Sequence, residues 1–220
     1  MDASHHFEFQ GCTLTARPSG ALWWAKARTL TVSDLHLGKA ERMARRAGLQ
    51  IPPYEVQDTL QRLQSEIEAL SPTRVICLGD TFDDMEAGRA VAIQVQDWLT
   101  RLQSGREWVW IEGNHDPGPL PLSSAHLAEL TLATLVFRHI ATPETGEISG
   151  HYHPKAKLPV KGAGAARPCF LYDERRVILP AFGTYTGGLR TSDPALSRLM
   201  GPRARAVLTG PRALPMPMPR

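Results

Sequence analysis

Several things are scarce in this sequence, and each scarcity excludes a class. Cysteine occurs three times in 220 residues, as Cys12, Cys77 and Cys169. An odd, widely spaced set offers neither a disulfide framework nor a thiolate zinc cluster. No apolar run approaches the length of a membrane span, and the start Met1-Asp2-Ala3-Ser4-His5-His6 lacks the basic-then-apolar order of a secretory leader. The expectation is a cytoplasmic protein with no membrane partner. A strong excess of one charge is missing too: 25 Lys and Arg against 22 Asp and Glu leave a formal net charge of +3. There is no internal repeat and no linker that would divide the chain.

What is present describes one globular domain. Hydrophobic residues make up 42% and charged residues 21% of a chain long enough to bury a large core. The domain is expected over residues 1–209. The tail 210–220 carries four prolines and is expected to be disordered. Basic residues gather in two places, Lys39, Arg42, Arg45 and Arg46 in one, Lys155, Lys157, Lys161 and Arg167 in the other. Such clusters suit a phosphate-bearing partner or a solvated face, and charge alone favours the solvated face.

The run Val75-Ile76-Cys77-Leu78-Gly79-Asp80 reads as a buried parallel strand that delivers a carboxylate to the edge of a sheet. Thr29–Val32 is a similar strand, ending in Ser33-Asp34-Leu35-His36. In extended chain Asp34 and His36 share one face and can point at one ion. Glu107–Ile111 is a third, ending in Glu112-Gly113-Asn114-His115-Asp116. Between them, Ala40–Ala47 reads as a basic helix closed by Gly48. Helical spacing of Val56, Leu60, Leu63, Ile67 and Leu70 follows Pro52-Pro53, and Gly88 to about Gln103 is helical again. Strand, helix, strand, helix, strand is the order of an α/β fold with right-handed crossovers.

Elsewhere the pattern is β-rich. A loose end or edge strand is expected over residues 1–10, and a hairpin of Gly11–Ala16 with Ala21–Ala25. Leu130–His139 and Gly146–Gly150 read as strands, and Pro168–Tyr172 with Arg176–Leu179 as a second hairpin. Pro180–Gly188 reads as a loop or irregular strand, and Ala204–Leu208 as a last strand. Trp98 and Trp110 are assigned to the core and Trp108 to a part-exposed position.

The polar residues that follow strands are Asp34, His36, Asp80, Asn114, His139, His151 and His153. Carboxylate, imidazole and amide oxygen without thiolate suit borderline divalent ions such as Mn²⁺, Fe²⁺ or Zn²⁺. Seven ligands are too many for one ion and right for two if one carboxylate bridges. Two ions about 3.5–4 Å apart clamp a phosphate during in-line displacement.

Asp-x-His, Gly-Asp-x-x-Asp, Gly-Asn-His-Asp, a lone His and Gly-His-x-His, in this order from Asp34 to His153, resemble the calcineurin-like metallophosphoesterases. The run Ser33–Lys39, the block Gly150-His151-Tyr152-His153-Pro154 and the segment Leu179–Gly188 resemble one bacterial branch. That branch is the ligase-associated DNA damage response endonucleases of the PdeM type. The resemblance implies a four-layer αββα sandwich that hydrolyses phosphodiesters in DNA or RNA, in association with a DNA ligase and a helicase. It implies two divalent ions, with Mn²⁺ preferred. Asp34, His36 and His153 would hold the first, Asn114, His139 and His151 the second, and Asp80 would bridge. His115 would protonate the leaving-group oxygen, and Asp83 would orient His115 and keep it charged. The nucleophile would be a water activated by the ions.

Arg138 precedes the lone His where many members of the superfamily carry Gly, and His126, in an apparent helix start at Ser124, competes with His139 for the assignment. Lys39, Arg42, Arg45 and Arg46 are candidates for a rim that grips phosphate, and Tyr152 for stacking on a base or for simple packing. Asp84, Asp116 and Glu112 are read as supporting or capping residues. Other readings of the same ligand set are a phosphatase or phosphodiesterase of small nucleotides and a catalytically silent scaffold.

Overall fold

The computed structural model describes residues 3–50, 52, 54–84, 86, 93–117, 124–157 and 165–220. The chain begins with a meander of β1 (His5–Phe9), β2 (Cys12–Ala16), β3 (Leu22–Trp24) and β4 (Thr29–Val32), each antiparallel to the last. The connection to β5 (Arg74–Leu78) carries helices α1 (Lys39–Ala47) and α2 (Glu55–Leu70). Helix α3 (Ile93–Gln103) leads to β6 (Glu107–Ile111), and β7 (Ala125–Leu127) completes the sheet. From β4 onward the pairing is parallel, and the strands lie in sequence order β1 to β7.

The second sheet contains β8 (Glu129–Leu132), β9 (Leu135–Arg138), β10 (Glu147–Ser149), β11 (Lys155–Ala156), β12 (Arg167–Tyr172), β13 (Arg176–Ile178), β14 (Arg205–Leu208) and β15 (Leu214–Pro217). Its order is β15-β14-β12-β13-β10-β9-β8, with β11 beside β12. A short helix, α4 (Pro194–Leu199), precedes β14.

Strand alternation makes the layers. On β5 and β6, Val75, Cys77, Trp108 and Trp110 face α2 and α3, joining Leu60, Leu63, Ile67, Leu99 and Leu102. The alternate residues Ile76, Leu78, Val109 and Ile111 face the second sheet, where they meet Leu135, Phe137, Ile148, Phe170, Val177 and Val207. Both faces are buried, which is why these strands are apolar without a polar phase. On the far face, Cys169, Leu171, Ile178, Ala206 and Leu208 pack with Leu196 and Met200. Helices, sheet, sheet, helix is the expected αββα order.

Five expectations are corrected. Leu130–His139 is two antiparallel strands, β8 and β9, because Ala133 adopts a left-handed conformation and turns the chain. Ser124-Ala125-His126 opens strand β7, not a helix: pairing with β6 overrides local signals. Trp108 is 2% exposed, because α2 and α3 cover it. Helix α4 was not expected, although Asp193 caps it by accepting from the Ala195 N–H and Pro194 follows at its first turn.

The tail 210–220, expected to be disordered, carries strand β15 at Leu214–Pro217. Pro215 and Pro217 lie on an edge strand at alternate positions, opposite Val207 and Arg205. Their missing N–H groups therefore cost no ladder bond. The start of the predicted 88–103 helix and Lys161 lie outside the described residues.

Candidate metal centre

All the ligand candidates sit just beyond strand ends: Asp34 and His36 after β4, Asp80 after β5, Asn114 after β6, His139 after β9, His151 and His153 after β10. Pairing continues past the strands, with Asp34 N–H donating to the Gly79 carbonyl (3.3 Å) and His36 N–H to the Asp80 carbonyl (2.9 Å). The His139 carbonyl accepts from Gly150 N–H (3.0 Å) in the other sheet. His151 N–H donates to Asp34 Oδ2 (3.0 Å) and joins the two sheets at the site.

Asp34, His36, Asp80, His151 and His153 all have positive φ, five of the eleven such non-glycine residues described. Backbone strain of this kind persists only where the surroundings over-determine it, and it marks functional sites. Two glycines make room. The His139 imidazole lies where a Cβ on Gly79 (φ +71°) would stand, and Ser33 and Asp34 lie where one on Gly150 would stand.

Two clusters result, Asp34–His36–His153 and Asp80–His139–His151, and the donor atoms in each lie within 4.8 Å of one another. Asn114 Oδ1 joins the second, 3.0 Å from His139 Nε2, and His151 Nδ1 is 3.2 Å from the same nitrogen. In the first, His36 Nε2 and His153 Nε2 are 3.3 Å apart. Donors bound at about 2.1 Å around one ion stand roughly 3 Å apart, so these spacings fit a cation. Asp34 Oδ1 is buried without a hydrogen-bond partner and only 3.1 Å from His153 Nε2. An orphaned carboxylate oxygen facing an imidazole nitrogen fits the same conclusion. Asp80 Oδ2 lies 3.9 Å from His36 Nε2 and 3.5 Å from His139 Nε2, between the two clusters.

The rear nitrogens are fixed. His36 Nδ1–H donates to Asp83 Oδ1 (2.8 Å) and His139 Nδ1–H to the Leu78 carbonyl (2.8 Å), leaving each Nε2 lone pair for a metal. Ser33 Oγ donates to Asp34 Oδ2, a support that the sequence hinted at only by adjacency. The field of the site calls for positive charge. Burial opposes ionisation of Asp80, yet His139, the His115 N–H and His36 outweigh it and lower the carboxyl to about 2. Burial likewise opposes charge on Asp34, but His153 and His139 keep it below its ordinary value. His139 resists protonation through burial, and Asp80 and Asp34 reverse this, raising it to about 9.

His115 stands outside both clusters with its side chain 38% exposed. Its Nδ1–H donates to the backbone carbonyl of Asp83 (2.8 Å), and Nε2 lies 3.9 Å from Asp80 Oδ2. The expected carboxylate–imidazole pair is therefore corrected: Asp83 holds His115 by its carbonyl, and its carboxylate serves His36, Arg42 and Lys39. Burial works against charge on Asp83, and these three partners still hold it below the usual carboxylate range.

The basic rim is mostly engaged. Arg42 pairs with Asp83, Arg45 with Glu41, Asp84 and Glu86, and Arg46 with Asp84, so Asp84 anchors α1. Lys39 Nζ is 3.7 Å from Asp83. Tyr152 packs edge-on against His151 and into the outer core of the second sheet. Asp116 accepts the N–H groups of Thr81 and Phe82, and burial, with the charge of Asp80 adding to it, raises its carboxyl to about 6. His126 lies on β7, outside both clusters. Arg138 points outward to Glu129 and Glu144, which leaves His139 turned inward.

A cavity of about 400 Å³ opens beside Asn114 and His139, with Arg138 and Ile140 in its wall. A larger one, about 550 Å³, lies behind the first hairpin and contains none of the ligands.

No curated protein sequence matches this chain. Among solved structures, the nuclease MPE of Pseudomonas putida is similar, with a TM-score of 0.79 and 29% identity over 97% of this chain and 100% of the other. A family model for calcineurin-like phosphoesterases fits residues 27–166. The fitted segment includes every ligand candidate from Asp34 to His153, and the chain belongs to the calcineurin-like phosphoesterase family.

Proposed function

We propose that this protein is a dinuclear, metal-dependent phosphodiesterase acting on nucleic acid, with Mn²⁺ as the expected ion and Fe²⁺ or Zn²⁺ suited to the same donors. The observation that carries this reading is Asp80 Oδ2, a member of the cluster with His139 and His151 that also lies 3.9 Å from His36 Nε2 of the other cluster. Asp34, His36 and His153 would hold one ion, Asn114, His139 and His151 the other, and Asp80 both. Bound there, the ions would polarise the phosphoryl group and activate a water as nucleophile.

The chain's own residues do the rest. His115 Nδ1–H is held by the Asp83 carbonyl, which leaves Nε2 3.9 Å from Asp80 Oδ2 at the edge of the site. In the imidazolium form the ring carries a second proton at Nε2, and that is the proton it would pass to the leaving oxygen. Asp83 keeps the His36 ring in place for the first ion and tethers α1 through Arg42. The full-length likeness to a protein called a nuclease supports nucleic acid as the substrate. The branch resemblance supports a cytoplasmic role in DNA repair, beside a ligase and a helicase.

The test offers the Mn²⁺-loaded protein a single-stranded oligonucleotide, a cyclic nucleotide and a phosphomonoester. Cleavage of the oligonucleotide is expected. Turnover confined to the monoester would overturn the reading in favour of a small-nucleotide phosphatase.

A further inference from the structure

The chain has four tyrosines. Tyr152 and Tyr172 are packed, whereas Tyr185 is 44% exposed and Tyr54 65% exposed. Tyr185 is at the apex of a loop fastened at both ends to the ligand-bearing segments. At one end Phe182 N–H donates to the Ser33 carbonyl (2.8 Å) and Gly183 N–H to the Asp34 carbonyl (3.0 Å). At the other, Leu189 N–H donates to the Tyr152 carbonyl (3.2 Å), and Gly188 lies so close to His153 that a Cβ would strike its carbonyl. Tyr185 is two positions past Gly183, at most about 7 Å of chain, and three positions before Gly188, at most about 11 Å.

The apex itself is held. Thr184 is bound by Asp58 (2.5 Å), Thr59 and Arg62 of α2, and the Thr186 carbonyl accepts from Lys155 Nζ (2.9 Å). Between these anchors Tyr185 keeps a left-handed backbone (φ 62°). Among the described residues its ring has no hydrogen-bonding or aromatic partner, and no carboxylate pairs with Lys155. A strained, rigidly mounted, exposed aromatic ring with an ammonium group one residue away, at the rim of a phosphoester site, matches the way single strands are gripped: a face for a base and a cation for its phosphate.

We propose that Tyr185 is a stacking platform for a base next to the scissile phosphate, and that Lys155 contacts the phosphate of that nucleotide. The proposal rests on the phosphodiesterase reading and adds that the substrate is single-stranded at this point. It also moves the stacking role from Tyr152, which is packed, to Tyr185.

The experiment compares steady-state kinetics of the Mn²⁺-loaded full chain on a single-stranded DNA oligonucleotide and on bis(4-nitrophenyl) phosphate. Tyr185→Asn removes the ring and suits the left-handed backbone. It is expected to raise the oligonucleotide KM about tenfold, the size of one base–aromatic stack, with kcat within about twofold. The efficiency ratio between the two substrates should fall by the same factor, and Tyr185→Phe should restore it. Lys155→Gln should raise KM and reduce the salt slope of oligonucleotide binding by about one.

An oligonucleotide KM unchanged in Tyr185→Asn overturns the platform, as does an equal loss on both substrates. A wild-type protein that hydrolyses the small diester and leaves the oligonucleotide intact overturns the nucleic-acid reading itself, and the platform with it.

Discussion

The two carboxylate oxygens of Asp80 do different work. Oδ1 accepts the His115 N–H (2.9 Å), while Oδ2 is left facing His36, His139 and His115. Replacing Asp80 by Asn removes the one negative charge common to both clusters, so metal content and turnover should fall together. His115→Ala tests the opposite case, since His115 belongs to neither cluster. It should retain both ions by elemental analysis and lower kcat by about 10²–10⁴-fold, the usual span for a general acid. A loss of metal in His115→Ala would contradict its placement outside the ligand set. At this scale the sequence was informative about which residues meet, because each ligand ends a strand and strand ends of a sandwich converge. It was silent about which atom of Asp83 serves which histidine. Carbonyl and carboxylate belong to the same residue, and only the turn after β5 decides their directions.

Elements were legible where hydrophobic period and length agreed, as in β4, β5, β6 and α2. They were misread where pairing with a distant strand outweighed local composition. β15 shows this most clearly: four prolines argue against a strand until an edge position at alternate register makes two of them harmless. The strand has real contacts to lose. Ala213 and Met218 are buried, Ala213 N–H donates to the Ala3 carbonyl, and Arg220 donates to the carbonyls of Met200 and Gly201. Deleting residues 211–220 also bares the edge of β14. Loss of one buried Met and several bonds should cost about 2–5 kcal/mol, lowering Tm by roughly 5–15 °C in a thermal melt. A truncated protein that melts with the full chain would show the strand to be ornamental.

For the whole molecule, charge in the site links metal, pH and stability. In the metal-free fold His139 is raised to about 9 from an ordinary 6.5. Its folded value exceeds its unfolded value, so the stabilisation is complete below pH 6.5 and is lost as pH rises through about 9. Asp116, raised to about 6, acts in the same sense but only below neutrality. Between pH 7 and 8.5, therefore, the chelator-treated protein should lose stability by up to about 1.4 kcal/mol per pH unit. The Mn²⁺-loaded protein, in which an ion on His139 would exclude that proton, should not. Parallel melts of the two forms check this, and equal slopes would refute it.

The first cluster also joins His36 to His153, 117 positions apart, and the second joins Asp80 to His139 across the two sheets. No short piece of the chain contains either set, and an unfolded molecule keeps at most the local pairs Asp34 with His36 and His151 with His153 for an ion. Global unfolding should then release the ions, whereas a chelator can strip them and leave the fold standing. Protein that still carries its ions after heating and desalting would be a direct count of molecules that never opened.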